Sequence, residues 1–141
     1  MNFDFTLFFH IAGLIIGLGA VSVIDLLGFR SRNSKEQTQV TIHAHHTTKP
    51  LIWLGSTLIL ISWIFLVIRL GWTDFVILKS LLLFVMVLNG SFLSFYVSPR
   101  LDELIGKKVI LSRELQIKIT ISMLISFFSW WSFVVLTVLM L

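Results

Sequence analysis

The sequence predicts an all-α integral membrane four-helix bundle with both termini outside, and three observations carry that prediction. Of its 141 residues, 57% are hydrophobic and only 13% charged, too little polar surface to cover a soluble core. The apolar residues gather into four runs, each near the length of about 20 residues that a helix needs to cross the hydrocarbon. The 11 Lys and Arg residues fall mostly in two of the connections. This is one domain spanning residues 1–141.

The first run, residues 5–29, begins with Asp4 instead of Lys or Arg and has no small-x-small cleavage site followed by a polar chain, so it is expected to be a retained helix. The second covers residues 51–70, starting just after Pro50, and the third residues 75–98, ending before Pro99. The fourth covers residues 117–141 and ends without a hydrophilic tail, an arrangement expected for a helix shielded by partner subunits. Between the third and fourth runs, "PRLDELIGKKVILSREL" is expected to form an interfacial helix.

Arg30, Arg32, Lys35 and Lys49 follow the first run, and Arg100, Lys107, Lys108, Arg113 and Lys118 follow the third. The positive-inside rule therefore places both long connections in the cytoplasm, which is the topology expected of a multi-pass protein of the bacterial inner (cell) membrane. The net charge of +4 is accounted for by this topology, and no nucleic-acid partner is needed. The absence of cysteine excludes thiolate metal sites, iron–sulfur clusters, disulfides and covalently attached haem. Met86, Met123 and Met140 form no cluster in sequence that would carry copper.

Ionisable residues inside apolar runs are the natural candidates for chemistry. In "LFFHIAGLIIGLGAVSVID", residues 7–25, His10 lies about 8 Å from the outer end of its helix and Asp25 about 22 Å further in, at 1.5 Å per residue. Lys79 lies about 6 Å into the third span from the same outer side. His10 and Lys79 thus share one layer, while Asp25 and "HAHH", His43 to His46, share another.

Helical spacing puts Gly13, Leu14, Gly17, Ala20, Val21, Ile24 and Gly28 on the face of His10. That strip, almost without side chains, can seat a flat porphyrin below an axial imidazole, and it serves equally as a close helix-packing face. Lys79 shares its stripe with Met86, Asn89 and Gly90, and either faces the bundle interior or snorkels to water. Asn89 either joins helices by hydrogen bonding or touches a ligand.

In the inner layer, His43 and His46 would share a face if the second helix extended backward into "QVTIHAHHTTK", with His45 pointing elsewhere. Two such imidazoles can start a metal site, with Asp25 or Glu36 as third ligand, or they can simply be solvated. Asp25 is alternatively expected to pair with His46, Arg30 or Lys49. On the last helix, Ser122, Ser126 and Ser129 make a small polar stripe, and Trp130 with Trp131 either flank a cofactor or form an oligomer surface.

His10 with its small-residue strip, and Lys79 opening the third span in "ILKSLLLFVMVLNG", resemble the four-helix membrane proteins of the HemJ-type protoporphyrinogen oxidase and copper-resistance D group. The chain has "DFVI" where that family shows an aromatic and a histidine before its lysine, and Asn89 where the family has a histidine before the later glycine. "VIDLLGFR" and His46-Thr47 are similar to uncharacterised relatives of the same plan. The resemblance implies a membrane redox protein with b-type haem. His10 would be axial ligand to the haem iron, and Lys79 second ligand or substrate anchor, these two being the catalytic pair. Gly13, Gly17 and Asn89 would line the cofactor, a porphyrinogen would be substrate and membrane quinone the electron acceptor. The alternative is a non-catalytic membrane subunit, part of a homo-oligomer or larger membrane complex, whose small residues assemble helices.

Overall fold

The computed structural model describes residues 4–140. Four long helices, each apolar enough to cross a membrane, form the bundle, and no strand is present among the described residues. In chain order they are α1 (Phe5–Arg30), α2 (Lys35–Leu70), α3 (Asp74–Phe92) and α5 (Arg113–Met140), with a one-turn 3₁₀ segment at Ser31–Asn33 between α1 and α2. From α3 the chain runs through a π-helical turn at Leu93–Val97 into the short α4 (Ser98–Asp102). Leu141, the expected end of the last span, lies outside the described residues.

Local chemistry sets most of the ends. Asp4 caps α1, accepting from the backbone N–H groups of Thr6 and Leu7 at 3.1 and 3.2 Å. Its other oxygen accepts from Arg69 at the end of α2, clipping the outer ends of the first two helices together. Gly71 ends α2 with a φ of 72°, a conformation that favours glycine, and Thr73 caps α3 by accepting from the Val76 N–H at 3.3 Å.

The second helix differs from the expected 51–70. It starts at Lys35, capped by Ser34, and runs straight through Pro50. Proline removes one hydrogen bond from a helix interior, but here side chains on either side of the turn add bonds of their own. Thr48 donates to the Ala44 carbonyl at 2.9 Å, and Lys49 reaches across to the Ser94 carbonyl and Ser98 Oγ. At 36 residues α2 is about 54 Å long, well beyond the roughly 30 Å hydrocarbon thickness. Its extension has a small core of its own, in which Ile42 packs with Val97, Leu101 and Leu115.

The third connection also differs from the expected interfacial helix. Helix α4 continues the third span only to Asp102, after which Gly106 turns the chain at a φ of 76° and residues 107–112 are not helical. Gln39 on α2 explains the stop: its Nε2 donates to the carbonyls of Leu104 and Lys107, and its Oε1 accepts from the Gly106 N–H. Those backbone groups are therefore held by a side chain instead of a further helical turn.

The bundle is apolar outside and mixed inside, as lipid immersion requires. Ile68 and Phe95, each 77% exposed, face outward, while Ser62, Ser94, Ser98, Ser122, Ser126 and Ser129 are buried. The main core packs Leu14 and Val21 of α1 against Ile59 and Trp63 of α2, Leu83 and Met86 of α3, and Trp130 and Phe133 of α5.

Candidate functional site

The two outer-layer residues meet. His10, 1% exposed, and Lys79, 2% exposed, are among the most deeply buried side chains, and Lys79 Nζ lies 3.2 Å from His10 Nε2. The other ring nitrogen, Nδ1, is 3.0 Å from Ser62 Oγ. The Ser62 hydroxyl already points its hydrogen at the carbonyls of Leu58, at 2.7 Å, and Ile59, at 3.0 Å. Ser62 therefore accepts from the ring, and the network assigns the tautomer: Nδ1 carries the hydrogen and Nε2 offers its lone pair to the Lys79 ammonium.

Aromatic rings complete the enclosure. The imidazole sits 5.6 Å from the Phe133 ring and 6.0 Å from that of Trp63. The Lys79 nitrogen lies over both rings, 4.7 Å from Phe133 and 4.8 Å from Trp63, so cation–π attraction replaces some of the hydration it has lost. Trp63 is itself fixed, its Nε1–H donating to Ser80 Oγ at 2.9 Å. No carboxylate among the described residues forms an ion pair with Lys79. Lys79 thus faces the interior and does not snorkel.

The small-residue strip is closed by protein. A methyl on Gly13 would meet the Gly55 carbonyl oxygen at 2.8 Å, and one on Gly17 would strike the Trp130 ring at 2.2 Å. Gly55 is pressed on its other side against the Gly17 backbone. Gly13 and Gly17 are therefore a helix-packing face, the second of the two readings of that strip. Asn89 likewise joins helices: its Nδ2 donates to the Ser122 carbonyl at 3.0 Å and its Oδ1 accepts from Ser122 Oγ at 2.6 Å. The buried Trp130 packs in the core, while Trp131 faces outward, 44% exposed.

These residues do not fit an iron-ligating histidine in this arrangement. Both nitrogens of His10 are occupied, by Lys79 and Ser62, and the Trp63 and Phe133 rings pack beside the imidazole. Gly55 and Trp130 fill the place where a porphyrin would lie.

The inner layer corrects three expectations. Asp25 pairs with none of His46, Arg30 or Lys49; its Oδ2 is sealed from solvent without a hydrogen-bond partner. His46 pairs with Asp102 of α4 instead, at 3.1 Å, and His43 is exposed, so the continuous α2 turns both away from the interior. No cluster of three or more His, Asp or Glu able to hold a metal exists among the described residues, which removes His43 and His46 as a metal site. The inward histidine is His45, 7% exposed, with its Nε2 buried and unpartnered.

Sequence reasoning missed Ser62, Trp63 and Phe133 around the pair, and it missed His45. The signal for His45 was present: extending the buried stripe of α2 backward from Ser62 through Ile59, Gly55, Ile52 and Thr48 at helical spacing arrives at His45. No protein-family model matches this chain, and no curated protein or solved structure matches it.

Proposed function

We propose that this multi-pass membrane protein performs proton-coupled chemistry at the His10–Lys79 pair. One observation carries the reading: two titratable side chains from separate spans are directly bonded at the same depth, in a chamber of aromatic rings with no carboxylate partner. An ammonium inside a bilayer costs about 2.5–3.5 kcal/mol at the centre of a helix, and an unpaired one marks a site of function before it marks a structural device. The pair offers one hydrogen between two nitrogen bases, and Ser62 fixes the imidazole in the tautomer that receives it. Lys79 passes a proton to Nε2 or takes one back, a general acid–base role.

The substrate class comes from the resemblance to porphyrinogen-oxidising proteins. In that reading the pair relays, one at a time, protons released as a porphyrinogen is oxidised, and membrane quinone takes up the electrons and the protons to become quinol. His10 acts here as a base, and the reading needs no iron on it. The test is porphyrin formation from porphyrinogen, with quinone added, by protein reconstituted in bilayers. Lys79→Met is expected to abolish turnover while the protein remains inserted, and undiminished turnover refutes the assignment. A visible Soret band that co-purifies with the protein and vanishes in His10→Ala restores the haem b expectation and overturns the base role.

A second reading, the non-catalytic membrane subunit, is favoured by the closure of the site, since His10 and Lys79 are 1% and 2% exposed. It predicts that the double variant His10→Leu/Lys79→Met keeps full function in cells, an outcome the catalytic reading forbids.

A further inference from the structure

At the opposite, basic end of the bundle a cleft of about 80 Å³ opens between the α1–α2 hairpin and the third and fourth spans. Its walls are mainly apolar, with Ile24, Ile52, Leu93 and Met123 among them, and few polar groups enter it. Two of those polar groups are unsatisfied: Asp25 Oδ2 on α1 and His45 Nε2 on α2 are both buried and both lack a hydrogen-bond partner.

The register of the two helices puts these atoms at one level. His10 bonds Ser62, Gly17 packs on Gly55, and Thr41 donates to the Leu27 carbonyl at 3.1 Å. In that antiparallel alignment Asp25 stands opposite His45. Leaving a buried polar group without a partner is costly, so two at one level lining one cleft are a built recognition point.

Charge selects the kind of ligand. Lys49 and Arg32 also line the cleft, Lys49 bonded to Ser94 and Ser98 and Arg32 to Thr120 Oγ1 at 2.7 Å. A cationic ligand is repelled by these two, and because both already hold protein oxygens they leave an anionic one no free counter-charge. A hydroxyl escapes both penalties: it donates to Asp25 and accepts from, or donates to, the imidazole. We propose that the cleft binds a neutral, lipid-soluble ligand with a hydroxyl head group, its head between Asp25 and His45 and its apolar body along Ile24, Ile52, Leu93 and Met123. A more open depression lies on the other side of Arg32, Gln116 and Thr120, which line both. This site is separate from the His10–Lys79 pair and does not rest on the role given to that pair.

The test is photolabelling of the full chain in lipid nanodiscs, with the labelled peptides mapped by mass spectrometry. The probes are diazirine-tagged decylphenol and dodecanol, with decylammonium and decylphosphate bearing the same tag as charged comparators. Both hydroxyl probes are expected to label the α1 and α2 segments around Asp25 and His45, and to be displaced by their untagged forms. Stronger labelling by the phenol assigns the natural ligand to aromatic alcohols, and stronger labelling by dodecanol to aliphatic ones. Asp25→Leu and His45→Leu are expected to lower this labelling at least tenfold, and Lys79→Met to leave it unchanged. Ile52→Trp keeps both polar groups but fills the cleft; its tenfold loss, in protein whose thermal unfolding is unaltered, separates occupancy from misfolding. Labelling spread over outward residues such as Phe84 and Leu124, indifference to Ile52→Trp, or preference for either charged probe overturns the proposal.

Discussion

Replacing Gly55 by alanine tests the packing on which the outer site depends. The added methyl would lie 2.6 Å from both the Cα and the N of Gly17 and 2.7 Å from the Gly13 carbonyl oxygen. All three are backbone atoms of the facing helix, so no side chain can swing aside. Carbon atoms rest at about 3.5–4.0 Å, so α1 and α2 must part by about 1 Å. Overpacking of this kind costs about 1–3 kcal/mol. Seven residues further along α2, Ser62 holds His10 Nδ1 at 3.0 Å, and parting the helices by that amount takes the contact beyond hydrogen-bonding distance. The control is Gly19→Ala on α1, where a methyl meets nothing within 4 Å and the gain in helix propensity is about 0.8–1.0 kcal/mol. Thermal unfolding in detergent, followed by tryptophan fluorescence, should show Gly55→Ala melting several degrees below the parent and Gly19→Ala at or above it. Equal melting of the two variants would refute the close approach of α1 and α2.

Three further outcomes follow from the geometry. His10→Leu leaves the Lys79 ammonium without its acceptor and should cost about 1.5–3 kcal/mol, whereas the double variant His10→Leu/Lys79→Met, which also removes the charge, should be the more stable of the two by detergent denaturation. At the outer surface, the hydrogen bond from the Arg69 guanidinium holds the Asp4 carboxyl below its usual range. Stability from this clip is thus present above the ordinary carboxylate range and lost as pH falls through the lowered value, so melting points of the parent and Asp4→Asn should converge as pH drops from about 6 to about 3. The two polar layers lie about 22 Å apart along α1. Asp25→Asn and Lys79→Met should therefore be additive to within about 0.3–0.5 kcal/mol, and a larger coupling energy in the double-variant cycle would show that the layers communicate.

The four spans and the inward faces of α1 and α3 were legible because lipid leaves a strong imprint on sequence. His10, Gly13, Leu14, Gly17, Ala20 and Val21 share the buried face that helical spacing assigns them, and Lys79, Met86 and Asn89 share theirs. Matching depth along two helices was enough to bring His10 and Lys79 into one layer. The inner boundary of α2 was not legible, because Pro50 reads locally as a helix start. Its passage through the helix is accompanied by Lys49 finding distant partners in Ser94 and Ser98. The histidines are a separate matter: His43 and His46 do share a face of the extended α2, but it is the exposed one, and His45 is the residue turned inward. The closure of the glycine strip by Gly55 and Trp130 was hidden for a different reason, since spacing on one helix says nothing about what presses on it.

Helix α2 links the two ends of the protein mechanically. Its buried stripe runs from Thr38 through His45 and Gly55 to Ser62 and Trp63, so the polar group facing Asp25 and the hydroxyl that orients His10 are mounted on one rod. The rod touches α1 most closely at Gly55, where backbone meets backbone with no side chain between. Leu58 and Ile59 of α2 crowd Gly13 beside that contact, so side-chain packing as well as bonds opposes a tilt there. Tilting α2 about Gly55 would open the cleft at the basic end while pressing Ser62 toward His10 at the other, and the opposite tilt would do the reverse. Two bonds resist that tilt: the Arg69–Asp4 clip outside and the Thr41–Leu27 bond inside. The outer clip is solvent-exposed and contributes little, as surface ion pairs do. The position of α2, and with it the orientation of His10, therefore rests mainly on the packing of Gly55 against Gly13 and Gly17.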